Sequence, residues 1–343
     1  MIITFDRSVF SKYGTPDVDK KTFGRILALA NIKGSTISLG PQCDVNNANL
    51  DSSDLFFLID LLKNSSKYPQ PKRASDCAIK VNGESFSEGR IIGMSEACEY
   101  ISSPAIIIVE NGTNDGYFLR AIERNFDSSI NFEHLLSENI VAIDNGGGSG
   151  ALSRVEYYLS IHQKKAKLLR CMVIVDGDKR FPGDNDYANK KKQEKESREF
   201  SQKGILYHIL SKRSLENYMP DEVFNDQKRS FGVSWVNAYV KLSDEQKDYF
   251  CTASGFKKDI PNDHENKFEN LPKEIQSLFT DIGGNFNILK DCSNLGNFKE
   301  AFAELFFNSP YVNKTTLLKR LQHPRASNPD EFNQITEKIR QLL

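Results

Sequence analysis

A strand–turn–helix pattern repeated across residues 104–225 constrains this chain more than any other feature. Ala105-Ile-Ile-Ile-Val109 is apolar and β-branched, and reads as a buried strand ending at Glu110. Ile140–Ile143 is a second strand, followed by the glycine-rich turn Asp144-Asn-Gly-Gly-Gly-Ser-Gly150. Cys171–Val175 is a third, ending in Asp176-Gly-Asp178, and residues 205–210 form a fourth that runs out near Ser214-Leu-Glu216. Between them lie helices. One is capped at Thr113 or Asn114 and carries Phe118, Leu119 and Ile122; another covers about 151–162 with Leu152, Val155, Tyr158 and Leu159; a charged one covers about 187–203. Alternation of this kind predicts parallel βαβ units and a sheet covered on both faces. Ligands then bind outside the carboxyl ends of the strands, so Glu110, the 145–150 turn, Asp176, Asp178, Ser214 and Glu216 share one rim.

The flanks are less legible. Residues 1–103 show a strand-like opening, Ile2–Phe5, and a helix over 52–62 with Leu55, Leu58 and Leu62. A Pro- and Lys-containing loop follows, and the region carries no recognisable chemistry, so it reads as a packing or partner-binding unit. Residues 226–343 hold amphipathic stretches at 271–279, 298–307, 315–321 and 332–343, which predict a mostly helical part. The expected divisions are therefore 1–103, 104–225 and 226–343.

The acids at the strand ends need an explanation. Carboxylates brought together repel one another and resist ionisation, unless a divalent cation offsets the charge. Mg²⁺ takes oxygen ligands and is usually held by one or two carboxylates together with substrate phosphate, a site suited to phosphoryl chemistry. Asp176 and Asp178 are two apart, so continued strand geometry would turn both to one side. Taken singly, each acid is an ordinary end to a strand, and the glycine run is a tight turn as readily as a phosphate cradle. Ser214-x-Glu216 has the wrong spacing for a capping box. Order, spacing and strand-end context together are more specific than any member.

VENGTNDGYFL (109–119), NGGGSG (145–150), VIVDGDKR (173–180) and KRSLENYMP (212–220) resemble a Toprim domain, the metal-binding domain shared by topoisomerases, bacterial primases, recombination proteins and OLD-family nucleases. The S-x-E-N-Y element is closest to the OLD-like branch. The resemblance covers about 104–225, a third of the chain, and implies a two-metal endonuclease using Mg²⁺ or Mn²⁺. It makes Glu110 a metal ligand or general base, lets Asp176 and Asp178 hold the metals, and has Ser214 and Glu216 complete the second site. Asn114 stands where such enzymes often place a second Glu, and Asp115 beside it is a further candidate. A late lysine that steadies the cleaved phosphate would be Lys257 or Lys258. Gly146, Gly147, Gly148, Lys179, Arg180, Lys212 and Arg213 are candidates for holding phosphate. There is no GxxxxGK[ST] motif and so no ATP site of that type. The chain is similar to stand-alone Toprim subunits of bacterial anti-phage systems, which implies a separate ATPase or sensor as partner and leaves a homodimer open.

Composition narrows the reading. With 45 Lys+Arg against 46 Asp+Glu the net charge is −1, which excludes binding nucleic acid through bulk charge. Residues 163–213, however, hold 14 basic and 7 acidic residues, a local net of +7 around Asp176 and Asp178. No apolar run reaches membrane-span length, no secretory signal is visible, and six scattered cysteines form neither CxxC nor a zinc pattern. A cytoplasmic protein with reduced thiols is expected. The sequence does not separate DNA from RNA (tRNA included) as substrate. The competing expectations are a non-catalytic subunit that keeps the Toprim scaffold, and a primase or topoisomerase relative.

Overall fold

The computed structural model describes residues 2–33, 35–45, 48–65, 78–83, 91–127, 131–147, 150–161, 169–184, 188–261, 264–292 and 298–343. Gly148, and Lys164, Lys165 and Lys167 of the basic segment, lie outside them.

The chain is α/β, with two four-stranded sheets and a helical C-terminal part. The second sheet is the predicted one. Its strands are β5 (Ala105–Val109), β6 (Val141–Asn145), β7 (Cys171–Val175) and β8 (Leu206–Ile209), all parallel, in the order β6-β5-β7-β8. Every residue of β5 and β7 is buried, as a strand covered on both faces requires. The crossovers are α5 (Asn114–Phe126), α6 (Phe132–Ser137), α7 (Ala151–Ile161) and α8 (Ala188–Gln202). Phe118, Leu119 and Ile122 of α5 pack on one face of the sheet, and Ala151 and Val155 of α7 on the other. The order reverses between β5 and β7, which places the crevice of the sheet at Glu110 and Asp176.

The first hundred residues are more regular than their sequence suggests. They form an α/β unit with parallel strands β1 (Ile2–Phe5), β2 (Thr36–Leu39), β3 (Ala78–Asn82) and β4 (Ile91–Gly93), ordered β2-β1-β3-β4. Helices α1 (Arg7–Ser11), α2 (Lys20–Ile32), α3 (Ser52–Ser65) and α4 (Met94–Ser102) accompany it. Relative to strand order in the chain, the two sheets have one topology. Yet the first crevice is closed by its own backbone. Asp6 N donates to Val81 O, Gly83 N donates to Ser8 Oγ, and a Cβ on Gly83 would lie 2.5 Å from the Ser8 carbonyl oxygen.

The C-terminal part runs from α9 (Asp221–Asp226), α10 (Lys228–Phe231), α11 (Val233–Tyr239) and α12 (Asp244–Tyr249) through α13 (Lys273–Leu278) and α14 (Phe286–Leu289) to α15 (Phe298–Asn308), α16 (Lys314–Leu321) and α17 (Glu331–Leu342). It shares one hydrophobic core with the second sheet. Phe118 of α5 meets Phe306 of α15 and Phe332 of α17, with ring centroids 5.1 and 5.9 Å apart. Trp235 stacks on Tyr239 at 4.9 Å, a packing role. The β1–β4 unit keeps a separate core of its own. No helix among the described residues is long and apolar enough to cross a membrane, and the five described cysteines are free thiols.

Candidate metal centre at the carboxyl rim

Five acids lie near enough to feel one another's charge beyond the ends of β5, β7 and β8. Glu110 leaves β5, and Asp115 sits in the first turn of α5. Asn111 N donates to Asp115 Oδ2 at 3.0 Å, folding the Glu110–Asp115 segment into a tight hook. Asp115 Oδ1 is buried without a hydrogen-bond partner. Burial pushes the Asp115 carboxyl up to about 7, and the charges of Glu110 and Glu216 add to the rise. Asn114, one residue before, is also buried.

Asp176 belongs to the same group. It keeps a partly open face, but protein surrounds the rest of it. That desolvation lifts its pKa well above the ordinary carboxylate range, with Glu216, Glu110, Asp115 and Asp178 raising it further in that order. Two backbone contacts fix Asp176. Leu215 N donates to its Oδ1 at 3.1 Å, and Gln193 Nε2 of α8 donates to its carbonyl at 2.9 Å. The first of these ties β7's exit to the turn that carries Glu216, which is 6% exposed.

Asp176 and Asp178 do not extend strand β7. Gly177 is pressed against the segment leaving β8, where a Cβ would lie 2.2 Å from Lys212 O and 2.5 Å from Leu210 O. Asp178 takes a left-handed φ of +53°, rare for a residue with a side chain, and its N–H donates to Arg213 O. The Asp-Gly-Asp spacing is thus set by a close backbone approach, not by the alternation of a strand.

Several expected phosphate contacts have other partners. Lys212 is buried in an ion pair with Asp248 and donates to Arg320 O. Arg213 makes a two-pronged pair with Asp259, both distances 2.9 Å. Arg180 folds back on Asp184. The described backbone N–H groups of the glycine turn have partners too: Gly146 N donates to Val109 O, Gly147 N to Asn145 Oδ1 and Gly150 N to Gly147 O. A Cβ at Gly146 would lie 3.0 Å from Ile108 and 3.1 Å from Ala151 Cα, so this glycine serves strand–helix packing. Ser214 N and Oγ both donate to Asn217 Oδ1, so the serine starts the 3-10 turn Leu215–Tyr218 with Asn217 as the partner that the S-x-E spacing hid. Lys257 leans toward Asp291 at 3.9 Å and Lys258 is exposed; the structure records no contact of either with the five acids among the described residues. Lys179 alone of the basic candidates is half-buried beside Asp178 at the edge of a cavity.

The sequence alone could not show that Asp115 turns inward, because the hook that turns it depends on one backbone hydrogen bond. Sequence reasoning missed Gln193, which looks like one polar residue among many on a charged helix. The five acids do not form a finished cage: among the described residues, no group of three or more His, Cys, Asp or Glu side chains is placed to hold a metal ion as it stands. Their mutual repulsion and the unpartnered Asp115 Oδ1 are nonetheless features that a cation would relieve. Comparison with protein-family models, with curated proteins and with solved structures finds no match to this chain.

Proposed function

We propose that this chain is a Toprim-like, metal-dependent endonuclease of the OLD-like type, hydrolysing phosphodiester bonds of DNA or RNA. One observation carries the reading. Carboxylates from three separate strand exits repel one another at the β5/β7 crevice, and one of them keeps a buried oxygen without a partner. A structural acid is normally paired or exposed; a group held in mutual repulsion suits a cation.

Glu110, Asp115, Asp176, Asp178 and Glu216 would hold one or two Mg²⁺ or Mn²⁺ ions. Such ions lower the pKa of attacking water and offset charge on the phosphate and its leaving oxygen. The chain's own residues supply the frame. Leu215 N and Gln193 orient Asp176, the Asn111 hook turns Asp115 inward, and Gly177 lets the β8 exit bring Glu216 alongside. Lys179 is the basic side chain best placed to meet a phosphate. A separate ATPase or sensor, as in anti-phage systems, is the partner this reading implies.

The alternative is a non-catalytic subunit on the same scaffold, favoured by the unfinished cage and by the withdrawal of Lys212 and Arg213 into ion pairs. One experiment separates the two. Plasmid DNA, single-stranded DNA and total tRNA are incubated with the protein and Mn²⁺, with Asp176→Ala and Glu216→Ala as controls. Metal-dependent cutting lost in both variants is expected. Equal cutting by both variants would sink the site, and a melting temperature that does not respond to Mn²⁺ would favour the alternative.

A further inference from the structure

A cavity of about 430 Å³ opens beside the acids, below the carboxyl ends of β7 and β8. Ile209 and Leu210 are its apolar side chains. Its charged lining is Asp178, Asp184, Glu194 and Lys179, with Asp184 already paired to Arg180, and Ser327 and Asn328, ahead of α17, complete the wall. It is not a separate feature of the surface. Asp178 belongs both to it and to the acidic group, and Gln193, which holds the Asp176 carbonyl, is part of its wall. The volume falls within the range of small-ligand sites, and the lining combines apolar surface with charged and polar groups.

We propose that this cavity receives one nucleobase from a single-stranded stretch of the substrate, next to the phosphate to be cut. The proposal rests on the nuclease reading and names the substrate class of that site. The face of a base is apolar and suits Ile209 and Leu210. Its edge is polar and meets the side chains at the rim, and Lys179 lies where the attached phosphate would pass. A duplex keeps its bases paired and stacked, and delivers one to such a recess only by extruding it. A single strand presents its bases without that cost.

The test uses the full chain, first without metal. Nucleoside 5′-monophosphates are titrated by saturation-transfer NMR, with inorganic phosphate as competitor. A fluorescein-labelled single strand and the duplex of the same sequence are compared by anisotropy. Ser327 is exposed at the mouth, so Ser327→Trp fills the entrance and Ser327→Ala removes only the hydroxyl. Mononucleotides are expected to bind wild type and Ser327→Ala alike and to resist displacement by phosphate. Binding should weaken about tenfold or more in Ser327→Trp, and the single strand should bind at least about fivefold tighter than the duplex. Asn328→Trp is a second plug should the first lower the melting temperature. No nucleotide binding, full displacement by phosphate, or binding unchanged by a folded plug variant would overturn the proposal. Cleavage assayed in parallel keeps the two readings apart. Cutting without nucleotide binding removes the cavity alone, whereas nucleotide binding without cutting removes the nuclease and leaves the cavity.

Discussion

Gly177 and Glu123 show how single residues set the limits of this molecule. Any side chain at Gly177 meets two backbone carbonyls, Lys212 O and Leu210 O, which cannot rotate away. Gly177→Ala is therefore expected to cost roughly 3 kcal/mol in denaturant unfolding, and wild-type stability in that variant would refute the close approach. Glu123 on α5 is 1% exposed, and neither carboxylate oxygen has a hydrogen-bond partner. Burial pushes it up to about 8; the Asp127 charge adds to this and Arg340 opposes it. With its folded pKa above the unfolded value, Glu123 is neutral in both states in acid. It then disfavours folding increasingly as pH rises from about 4.5 to about 8. Glu123→Gln should flatten that part of the stability curve and gain on the order of 3 kcal/mol above it. Parallel melting curves for the two proteins from pH 5 to pH 9 would count against this. The same scale explains what the sequence could show of the site. Glu110 and Asp176 could be placed from the sequence because each directly follows an apolar strand, and Glu216 because it lies in the turn beyond β8. The fates of Lys212 and Arg213 could not be read there, since their partners Asp248 and Asp259 lie 36 and 46 residues away.

Elements divide in the same way. Strands β5 and β7 announce themselves as unbroken apolar runs, and their ends fall where the pattern puts them. Strand β1 also falls where the sequence places it, at Ile2–Phe5, but β2 to β4 are three to five residues long and acquire their meaning only by pairing. Helix α17 was expected as an amphipathic stretch, but not its role. Its first-turn Glu331 accepts from Ser211 N at 2.7 Å, from the Ser211 and Tyr218 hydroxyls, and meets His208 Nε2 at 3.0 Å. Burial works against ionisation there, yet these bonds, led by His208, hold the Glu331 carboxyl below its usual range. Glu331 thus clamps the exit of β8 that leads to Glu216. Glu331→Ala should destabilise by about 3 kcal/mol or more, because it strands buried partners. It should also weaken any Mn²⁺-induced thermal shift, and an unaltered shift would separate α17 from the rim.

At the scale of the whole molecule, Arg170 joins parts that are far apart in sequence. Its guanidinium donates to Ser103 O at the end of α4 and to Leu342 O of α17, at 3.4 Å in the latter case, and it lies 5.2 Å from the Tyr100 ring. Lys33, just past α2, donates to Ser102 O beside it. Two cations thus collect where three helices present their carbonyl ends, the arrangement their dipoles favour. Arg170→Ala should lower stability by about 2 kcal/mol and open the 102–104 junction to protease; an unchanged digestion pattern would count against the clamp. The shared core of the second sheet and the C-terminal helices has a consequence for moving this chemistry elsewhere. Residues 104–225 hold all five acids, but a transplanted cassette of that length would leave Phe118 without Phe306 and Phe332. It would also leave the β8 exit without Glu331. The motifs would travel; the surface that keeps their carboxylates pressed together would stay behind.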